Sequence, residues 1–385
     1  MELLTHLNGV DLSFDAFPET ERTKHVHRFH PYLGKFIPQL VEAFLKEFFN
    51  INDILIDPFM GSGTTLVESH VLGINAVGID VSMFNCLLVN AKTRKYDVDL
   101  IEKEVMDILA SLKSFSNWFT SRESGQQFLF QSQYDIMVSN NDYLNKWFAH
   151  QTLQELLYYR DRIEQYENQD ILKIILSRSA RSARLVKHYD LDVISKEPVT
   201  EPYDCKKHSR ICVPANEAYR FIEKYSIDTI ERVKAFALLR TESWTQILHG
   251  DSKIIDLPEK ECDGIFTSPP YVGLINYHEQ HRYAYELFGI ENNADKEIGK
   301  MADGRSKNAK EKYKQDMIAV FQNMNRFLKK NAKIFIVVGD PDGMYEDIIN
   351  TCGYKIETVY NRVVSNRTGL RDSDFNELIY FCRKP

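Results

Sequence analysis

Four short apolar runs, two near the start of the chain and two in its last third, share one pattern of hydrophobic and polar positions. They are residues 54–56, 76–79, 245–249 and 264–266, and the polar residues at or just beyond their ends are Asp57, Asp80, Asp251 and Ser268. Short apolar runs bounded by turn residues are typical of buried strands. The pattern therefore predicts four strands that each end in a polar group.

Apolar residues also recur at helical spacing, and these positions predict an amphipathic helix from Pro38 to Phe49. They are Leu40, Val41, Phe44, Leu45, Phe48 and Phe49. Towards the end of the chain the pattern predicts a helix at 317–328 and strands at 333–338, 358–364 and 377–382. An alternation of strands and helices predicts an α/β fold built on a parallel sheet.

The polar strand ends are predicted to converge although they lie far apart in the sequence. Ligands bind outside the carboxyl ends of the strands in open α/β sheets. Asp57, Asp80, Asp251 and Ser268 would all open on that one edge. The sequence therefore predicts a ligand site there.

The first of these strands runs into the segment DPFMGSGTT, from Asp57 to Thr65. Glycines at positions 61 and 63 allow the backbone to approach a ligand closely, and a helix starting near Thr65 offers unpaired N–H groups to a carboxylate. No lysine follows the second glycine, so this is not a phosphate-binding P-loop. The carboxylate of Asp80, at the end of the second strand, is suited to accept hydrogen bonds from two ribose hydroxyls. The alternative is that Asp80 caps the start of the following helix.

The fourth strand runs into TSPPY, from Thr267 to Tyr271. Together, DPFMGSGTT and TSPPY resemble the cofactor and catalytic motifs of the DNA methyltransferases that methylate exocyclic amino groups with S-adenosyl-L-methionine (SAM). The Ser-Pro-Pro-Tyr version is typical of the cytosine-N4 branch. The resemblance covers roughly residues 1–95 and 242–385.

The resemblance implies a Rossmann-like SAM methyltransferase fold of the α/β class, with a mostly parallel seven-stranded sheet and a largely helical inserted domain. It implies that SAM is the cofactor and that Asp251 faces the adenine amino group. The cofactor-binding residues that it implies are Tyr32, Asp57, Phe59, Gly61, Gly63, Thr64, Asp80, Asp251 and Ser252. The catalytic residues that it implies are Ser268, Pro269, Pro270 and Tyr271.

The catalytic turn suits the chemistry of an exocyclic amine, which is a poor nucleophile because its lone pair is delocalised into the ring. Acceptors aimed at its two N–H bonds would favour a tetrahedral nitrogen, and the Ser268 hydroxyl and the Pro269 carbonyl are suited to this. Tyr271 offers a flat face for a base flipped out of the duplex. Methylation of cytosine carbon 5 is disfavoured, because no Pro-Cys pair occurs in the chain.

Two alternative functions stay open at this point. Adenine-N6 enzymes of the family usually carry Asp or Asn where Ser268 stands, but a hydroxyl and a carbonyl could serve either amine. A SAM-binding DNA-recognition subunit without activity is the second alternative, and the intact turn argues against it.

The predicted domain order is an N-terminal part of the catalytic domain at 1–95, an insert at 96–241 and a C-terminal part at 242–385. The insert carries a basic segment in which Arg178, Arg181, Arg184 and Lys187 recur every three residues. Such a row lies near one helix face and is predicted to contact DNA, with a solvated face as the alternative. The polar, loop-like segment 291–313, with Arg305 and Lys307, and the turn 366–371, with Arg367 and Arg371, are rival DNA contacts.

Two groups of residues raise the question of a metal. His25, His27 and His30 lack a carboxylate or cysteine partner in sequence, and Cys205, His208 and Cys212 lack a fourth ligand and a close cysteine pair. We therefore predict no metal site.

The composition changes this picture little. The chain has 385 residues, 43% of them hydrophobic, and a net charge of −7, so DNA binding would need local basic patches. Six scattered cysteines fit a reducing compartment. The first residues do not resemble a signal peptide, and no run approaches a membrane span. We expect a cytoplasmic, nucleoid-associated protein that binds double-stranded DNA but no membrane, with a cognate restriction endonuclease acting separately.

Overall fold

The computed structural model describes residue 7 and residues 10–34, 36–124, 134–192, 196–258, 261–273, 276–364 and 375–385. The described strands are β1 (Ile54–Asp57), β2 (Asn75–Asp80), β3 (Tyr203–Cys205), β4 (Arg210–Cys212), β5 (Thr245–His249), β6 (Cys262–Thr267), β7 (Leu328–Val338), β8 (Lys355–Val364) and β9 (Phe375–Arg383). All but β3 and β4 belong to one sheet.

The order of strands in this sheet is β5-β2-β1-β6-β7-β9-β8. The pairs from β5 to β7 are parallel, and β9 runs antiparallel to both of its neighbours. Strands β3 and β4 form a separate antiparallel hairpin. The predicted Rossmann-like α/β fold with a mostly parallel seven-stranded sheet is confirmed.

Helices cover both faces of the sheet and fill most of the long connection between β2 and β5. The described helices are α1 (Glu19–Arg22), α2 (Pro38–Phe48), α3 (Thr64–Val71), α4 (Met83–Thr93), α5 (Val98–Glu123), α6 (Asp142–Trp147), α7 (His150–Arg160), α8 (Gln169–Ala183), α9 (Tyr219–Ala237), α10 (Tyr277–Gln280), α11 (Arg282–Phe288), α12 (Lys307–Asn325) and α13 (Met344–Thr351). None of these helices is both long enough and apolar enough to cross a bilayer.

Alternate residues of the central strands bury their side chains in two separate cores. On one face, Phe335 of β7 packs with Phe44 and Phe48 of α2. On the other face, its neighbours in sequence join a core with Phe321 of α12 and Ile348 of α13. Parallel strands that are buried on both faces are expected to be almost continuously apolar, and this explains why the short runs identified them.

The insert shares its core with the helices beside the sheet. Phe84 of α4 and Tyr283 of α11 belong to one apolar cluster with Ile108 and Phe115 of α5 and Ile175 of α8. The helices α5 to α9 and the β3–β4 hairpin lie in the predicted insert, which is largely helical as expected. The boundaries at 95 and 241 stay a prediction.

The segment 291–313 is less loop-like than predicted. Helix α12 begins at Lys307 because the Ser306 hydroxyl accepts a hydrogen bond of 3.2 Å from the Ala309 N–H, which caps the helix. The predicted helix start at 317 and strand start at 333 are therefore wrong, since α12 begins ten residues earlier and β7 begins at Leu328.

Candidate active site

A cavity opens at the carboxyl ends of β1, β2, β5 and β6. Its walls include the four strand-end residues that were predicted to converge, namely Asp57, Asp80, Asp251 and Ser268. Tyr32, Phe59, Gly61, Thr64, Ser252 and Pro270 also line it. The predicted convergence is confirmed, and the two motifs face the same space.

The glycine loop needs glycine for two different reasons. Gly61 has a φ of +47°, and a Cβ there would come within 3.1 Å of the Tyr32 hydroxyl oxygen. Gly63 has a φ of +76° as the N-cap of α3, and a Cβ there would lie 2.7 Å from a Val89 methyl carbon. Gly61 therefore keeps a wall of the cavity open, whereas Gly63 allows the turn to pack on α4.

The Asp80 carboxylate organises the loop. The Gly61 N–H donates to Asp80 Oδ2 at 3.0 Å, the Ser82 N–H donates to Oδ1 at 2.8 Å, and the Asn85 side-chain amide donates to Oδ2 at 3.1 Å. Burial raises the pKa of Asp80 to about 6, and these hydrogen bonds oppose the rise. The helix N-cap is Ser82, whose hydroxyl accepts from the Asn85 N–H, so the N-cap alternative for Asp80 is wrong.

Asp57 holds the ends of β1 and β6 together. It accepts a hydrogen bond of 2.7 Å from the Thr267 hydroxyl and one of 3.2 Å from the Phe59 N–H. Burial raises the pKa of its carboxyl to about 6. Asp57 thus joins the glycine loop to the TSPPY segment in addition to lining the cavity.

The third strand end contributes one cavity-facing acid and one structural hydroxyl. The Ser252 hydroxyl donates a hydrogen bond of 2.6 Å to the Pro58 carbonyl and so ties this turn to the glycine loop. One oxygen of Asp251 accepts the Lys253 N–H at 2.9 Å, while its side chain also lines the cavity.

A hydrogen bond from helix α12 fixes the Ser-Pro-Pro-Tyr turn. The Tyr313 hydroxyl donates a hydrogen bond of 2.8 Å to the Pro270 carbonyl. Within the described part of the chain, no hydrogen-bond partner is found for the Ser268 hydroxyl, which faces the cavity. The turn is thus fixed through Pro270, while Ser268 stays available to a ligand.

Tyr271 is not among the residues that line the cavity, and its hydroxyl reaches the antiparallel edge of the sheet. Its hydroxyl donates to Glu377 Oε1 at 3.0 Å, and Glu377 Oε2 accepts from Arg362 at 2.6 Å. Arg362 is only 2% exposed and also donates to the Leu12 carbonyl at 2.8 Å. Sequence reasoning missed Glu377 and Arg362, because nothing local marks either residue as part of the site.

Other lining residues were also missed. Asn85 joins Asp80 to Tyr32 through its side-chain amide, which lies 3.3 Å from the Tyr32 hydroxyl. Lys296 and Glu297 line the cavity from the segment after α11, and Glu297 accepts the His278 N–H at 3.0 Å. The position of Asn85 in the first turn of α4, just after Asp80, is a local signal that could have identified it.

The cavity contains polar atoms that fit SAM. Among the described residues, the Ser62 hydroxyl and the Asn85 side-chain oxygen are buried without a hydrogen-bond partner, and both residues line the cavity. Several acids also line it, which suits ribose hydroxyls and cationic groups. The start of α3 offers N–H groups for a carboxylate. A ligand with ammonium, sulfonium, carboxylate and ribose groups therefore fits the residues present.

The prediction that the arginine row contacts DNA is wrong for three of its members. Arg178, Arg181 and Arg184 are only 9%, 9% and 7% exposed. Arg178 pairs with Asp228, and Arg181 pairs with Asp192. Arg184 donates to the Leu191 carbonyl at 2.6 Å and lies over the Tyr283 ring. Helix α8 ends at Ala183, and these guanidinium groups brace the insert from inside.

The other predicted DNA contacts are placed differently. Arg305 and Lys307 are exposed near the start of α12, and Lys187 is half-buried. Arg367 and Arg371 lie outside the described residues. Of the three N-terminal histidines, His27 lies 2.7 Å from buried Glu68, whereas His30 is 3.2 Å from the Ser177 hydroxyl, so the three do not share one site.

Known proteins with similar sequences are DNA methyltransferases. The N6_N4_Mtase family model, described as DNA methylase, matches residues 14–92. The type II methyltransferase M.MjaII of Methanocaldococcus jannaschii is 39% identical, with 96% of this chain and 82% of that protein covered. The type II methyltransferase M.MvaI of Kocuria varians is 23% identical over 45% of this chain and 37% of its own length.

Among solved structures, a SAM-dependent methyltransferase of Methanosarcina mazei is similar with 7% identity and a TM-score of 0.35, with 89% of this chain and 96% of that chain covered. The high identity to M.MjaII over most of both chains is the finding that decides the family. The chain belongs to the amino-group DNA methyltransferases, and its methyl donor is S-adenosyl-L-methionine.

Proposed function

We propose that the protein methylates the N4 amine of cytosine at a specific sequence in double-stranded DNA. The observation that carries this proposal is that Ser268 lines the same cavity as Gly61 and Asp80. An amine held by the catalytic turn would thus lie next to a methyl donor held by the glycine loop. That arrangement fits direct transfer without a covalent enzyme intermediate.

SAM supplies an electrophilic methyl carbon bonded to a sulfonium. On the protein side, the Ser268 hydroxyl oxygen and the Pro269 carbonyl would accept the two N–H bonds of the target amine. These contacts favour a tetrahedral nitrogen and offset the positive charge that develops there as the new bond forms. The contact between Tyr313 and Pro270 keeps the turn rigid, so the acceptors need little reorganisation.

The strand-end acids would orient the cofactor. Asp80 already has both oxygens ordered by N–H donors, and in this proposal it accepts the ribose hydroxyls. Asp251 would accept a hydrogen bond from the adenine amino group of SAM. Asp57 would act indirectly, because its bond to Thr267 sets the distance between the two motifs.

The target base would have to leave the duplex to reach this cavity. In this proposal, the ring of Tyr271 stacks on the flipped base while its hydroxyl stays bonded to Glu377. The tether fixes the plane of the ring before the base arrives, so less conformational freedom is lost on binding.

Serine at position 268 favours cytosine, because adenine-N6 enzymes of the family usually have Asp or Asn there. Adenine N6 remains the second candidate, since the same two acceptors could hold either amine. A subunit that only recognises DNA fits less well, because the catalytic turn is intact and faces the cofactor cavity.

Target recognition is proposed to lie in the insert at 96–241, between the catalytic parts at 1–95 and 242–385. Because the arginine row is internal, the exposed pair Arg305 and Lys307 becomes the stronger candidate for phosphate contact. The relative M.MjaII is a type II methyltransferase. We accordingly propose a role in a restriction–modification system, with a separate cognate endonuclease and with action on nucleoid DNA in the cytoplasm.

Nucleoside analysis of the product tests the proposed base. The purified protein is incubated with SAM and mixed-sequence double-stranded DNA, and the digested nucleosides are separated by mass spectrometry. N4-methylcytosine is expected. N6-methyladenine would support the second candidate, and unmodified nucleosides with confirmed SAM binding would support the subunit without activity.

A further inference from the structure

We propose that the insert contains a structural zinc site formed by His188, Cys205, His208 and Cys212. The metal-binding atoms of these four side chains all lie within 4.8 Å of one another. The site is separate from the cofactor cavity, whose walls contain none of the four residues. The inference does not depend on which base the enzyme methylates.

The local fold explains how three of the ligands meet. In the β3–β4 hairpin, Tyr203 pairs with Cys212 and Cys205 pairs with Arg210, so both cysteines lie on one face. The turn between the strands brings His208 back over that face, since its N–H donates to the Cys205 carbonyl at 3.1 Å. Ser209 has a φ of +50°, which completes the tight turn.

His188 is the fourth ligand that the sequence did not reveal. It lies five residues beyond the end of α8, and its backbone N–H donates to the Tyr203 hydroxyl at 3.1 Å. That hydroxyl also lies 3.0 Å from His188 Nδ1, so metal binding at Nδ1 would require the Tyr203 proton to turn away. The backbone contact can persist after this change and would keep the imidazole in place.

The separations match a tetrahedral site. His188 Nδ1 and His208 Nδ1 each lie 3.6 Å from Cys205 Sγ, and His208 Nδ1 lies 3.4 Å from Cys212 Sγ. Bonds of about 2.3 Å to sulfur and about 2.0 Å to nitrogen in a tetrahedron separate a sulfur and a nitrogen by about 3.5 Å. A simple hydrogen-bonded cluster of two thiols and two imidazoles is the alternative, but it would not require all four atoms to converge on one point.

The donor chemistry indicates Zn²⁺. Two thiolates and two imidazoles in a tetrahedral arrangement are the ligand set of structural zinc. Both cysteines are free and buried, so they are neither joined as a disulfide nor placed as reactive surface thiols. The group formed by His25, His27 and Glu68 is a weaker candidate, because the Lys24 ammonium already lies 2.8 Å from Glu68.

The hairpin also needs a stabilising element. Each of its strands has three residues, and its own buried apolar cluster consists of Tyr203, Cys205 and Cys212 with Val199 packed against it. A two-stranded hairpin of this size is marginal in water. A metal bound by both the hairpin and His188 would fasten it to the segment that follows α8.

Metal analysis of the full-length protein, purified without chelators, tests the proposal. About one zinc ion per chain is expected, and replacement by Co²⁺ should give the visible absorption of tetrahedral cobalt with thiolate charge-transfer bands. Cys205→Ser and Cys212→Ser should lose the metal and the charge-transfer bands. Lys207→Ala, in the turn of the same hairpin, should keep both.

The wild-type measurements decide the matter even if the cysteine variants fail to fold. A folded wild-type protein that contains no stoichiometric zinc and gives no tetrahedral cobalt spectrum would overturn the proposal. Non-reducing peptide mapping that showed Cys205 and Cys212 joined by a disulfide would overturn it equally. Retention of one zinc ion per chain by a folded Cys205→Ser, Cys212→Ser double variant would place the metal elsewhere and reject the site.

Discussion

The Tyr271 hydroxyl donates a hydrogen bond of 3.0 Å to Glu377, which in turn pairs with the buried guanidinium of Arg362. This chain of contacts ties the Ser-Pro-Pro-Tyr turn to strands β8 and β9. The aromatic ring at the end of the turn is therefore oriented by the antiparallel edge of the sheet.

Two substitutions at Tyr271 separate the ring from its hydroxyl. Tyr271→Ala removes the stacking surface, worth about 1–3 kcal/mol per base, so methyl transfer should fall by about fivefold to 150-fold. Tyr271→Phe keeps the ring and loses only the contact with Glu377, so a smaller loss is expected. Steady-state kinetics on DNA measure both, with exposed Tyr189→Phe as control. Equal activity of the alanine variant and the wild type would rule out base stacking at this position.

Asp80 should control cofactor affinity. Asp80→Asn retains one acceptor for the Gly61 N–H but removes the charge, and we expect SAM to bind about tenfold or more weakly by calorimetry. Asp256→Asn, at an acid exposed on the surface near α12, should leave the affinity unchanged. Unaltered affinity in Asp80→Asn would refute the ribose role.

The pH dependence of SAM binding should report the ionisation of Asp80. The pKa of Asp80 is about 6, so its carboxylate gains a proton as the pH falls through that value. Acceptance of two ribose hydroxyls requires the ionised form, and affinity should therefore fall by about tenfold per pH unit below 6. In Asp80→Asn the part of this loss due to Asp80 should be absent, and any loss that remains would come from Asp57, whose carboxyl also has a pKa of about 6. An unchanged affinity of the wild type from pH 7 to pH 5 would contradict the assignment.

Arg181→Ala with Arg184→Ala should reduce stability rather than DNA contact. Both guanidinium groups are internal, and their loss leaves Asp192 and the Leu191 carbonyl without charged donors. We expect the free energy of unfolding to fall by about 2 kcal/mol. Denaturant unfolding measures this, with the exposed α5 pair Lys103→Ala and Lys113→Ala as control. A stable double variant with a flatter salt dependence of DNA binding would restore the original prediction.

Arg305→Ala with Lys307→Ala should weaken DNA binding rather than reduce the stability of the fold. Each phosphate contact contributes about 0.9 to the slope of log affinity against log salt, so removing two should flatten the slope by about 2. SAM affinity should stay constant. Lys330→Ala with Lys355→Ala, exposed at the amino ends of β7 and β8, serves as the control for lost charge. An unchanged slope in Arg305→Ala with Lys307→Ala would exclude phosphate contact by these two residues.

The sequence predicted the core of the site well, because its signals are local. A buried parallel strand must be apolar, and the polar residue that ends it must lie at the carboxyl edge, so Asp57, Asp80, Asp251 and Ser268 could be placed together. Among the predicted strands, β5 was bounded correctly at both ends.

The errors arose where the decisive partner is distant in sequence. The arginine row looked solvent-facing because its partner Asp228 lies fifty residues beyond Arg178. Glu377 lies 106 residues beyond Tyr271, and no pattern around either residue indicates the contact. His188 lies 17 residues before Cys205 and outside the hairpin, so spacing along the chain did not group it with the cysteines. Side-chain pairing across a fold is set by packing, which spacing along the chain does not encode.

The rate of a single methyl transfer in Ser268→Ala tests the central claim most directly. The enzyme is saturated with labelled SAM and mixed with long mixed-sequence double-stranded DNA, and the label transferred to DNA is followed in time. Because the Ser268 hydroxyl is proposed to accept an N–H bond only of the target amine, the rate should fall about 100-fold or more while SAM affinity stays within about threefold of wild type. A rate equal to that of the wild type would show that Ser268 takes no part in methyl transfer.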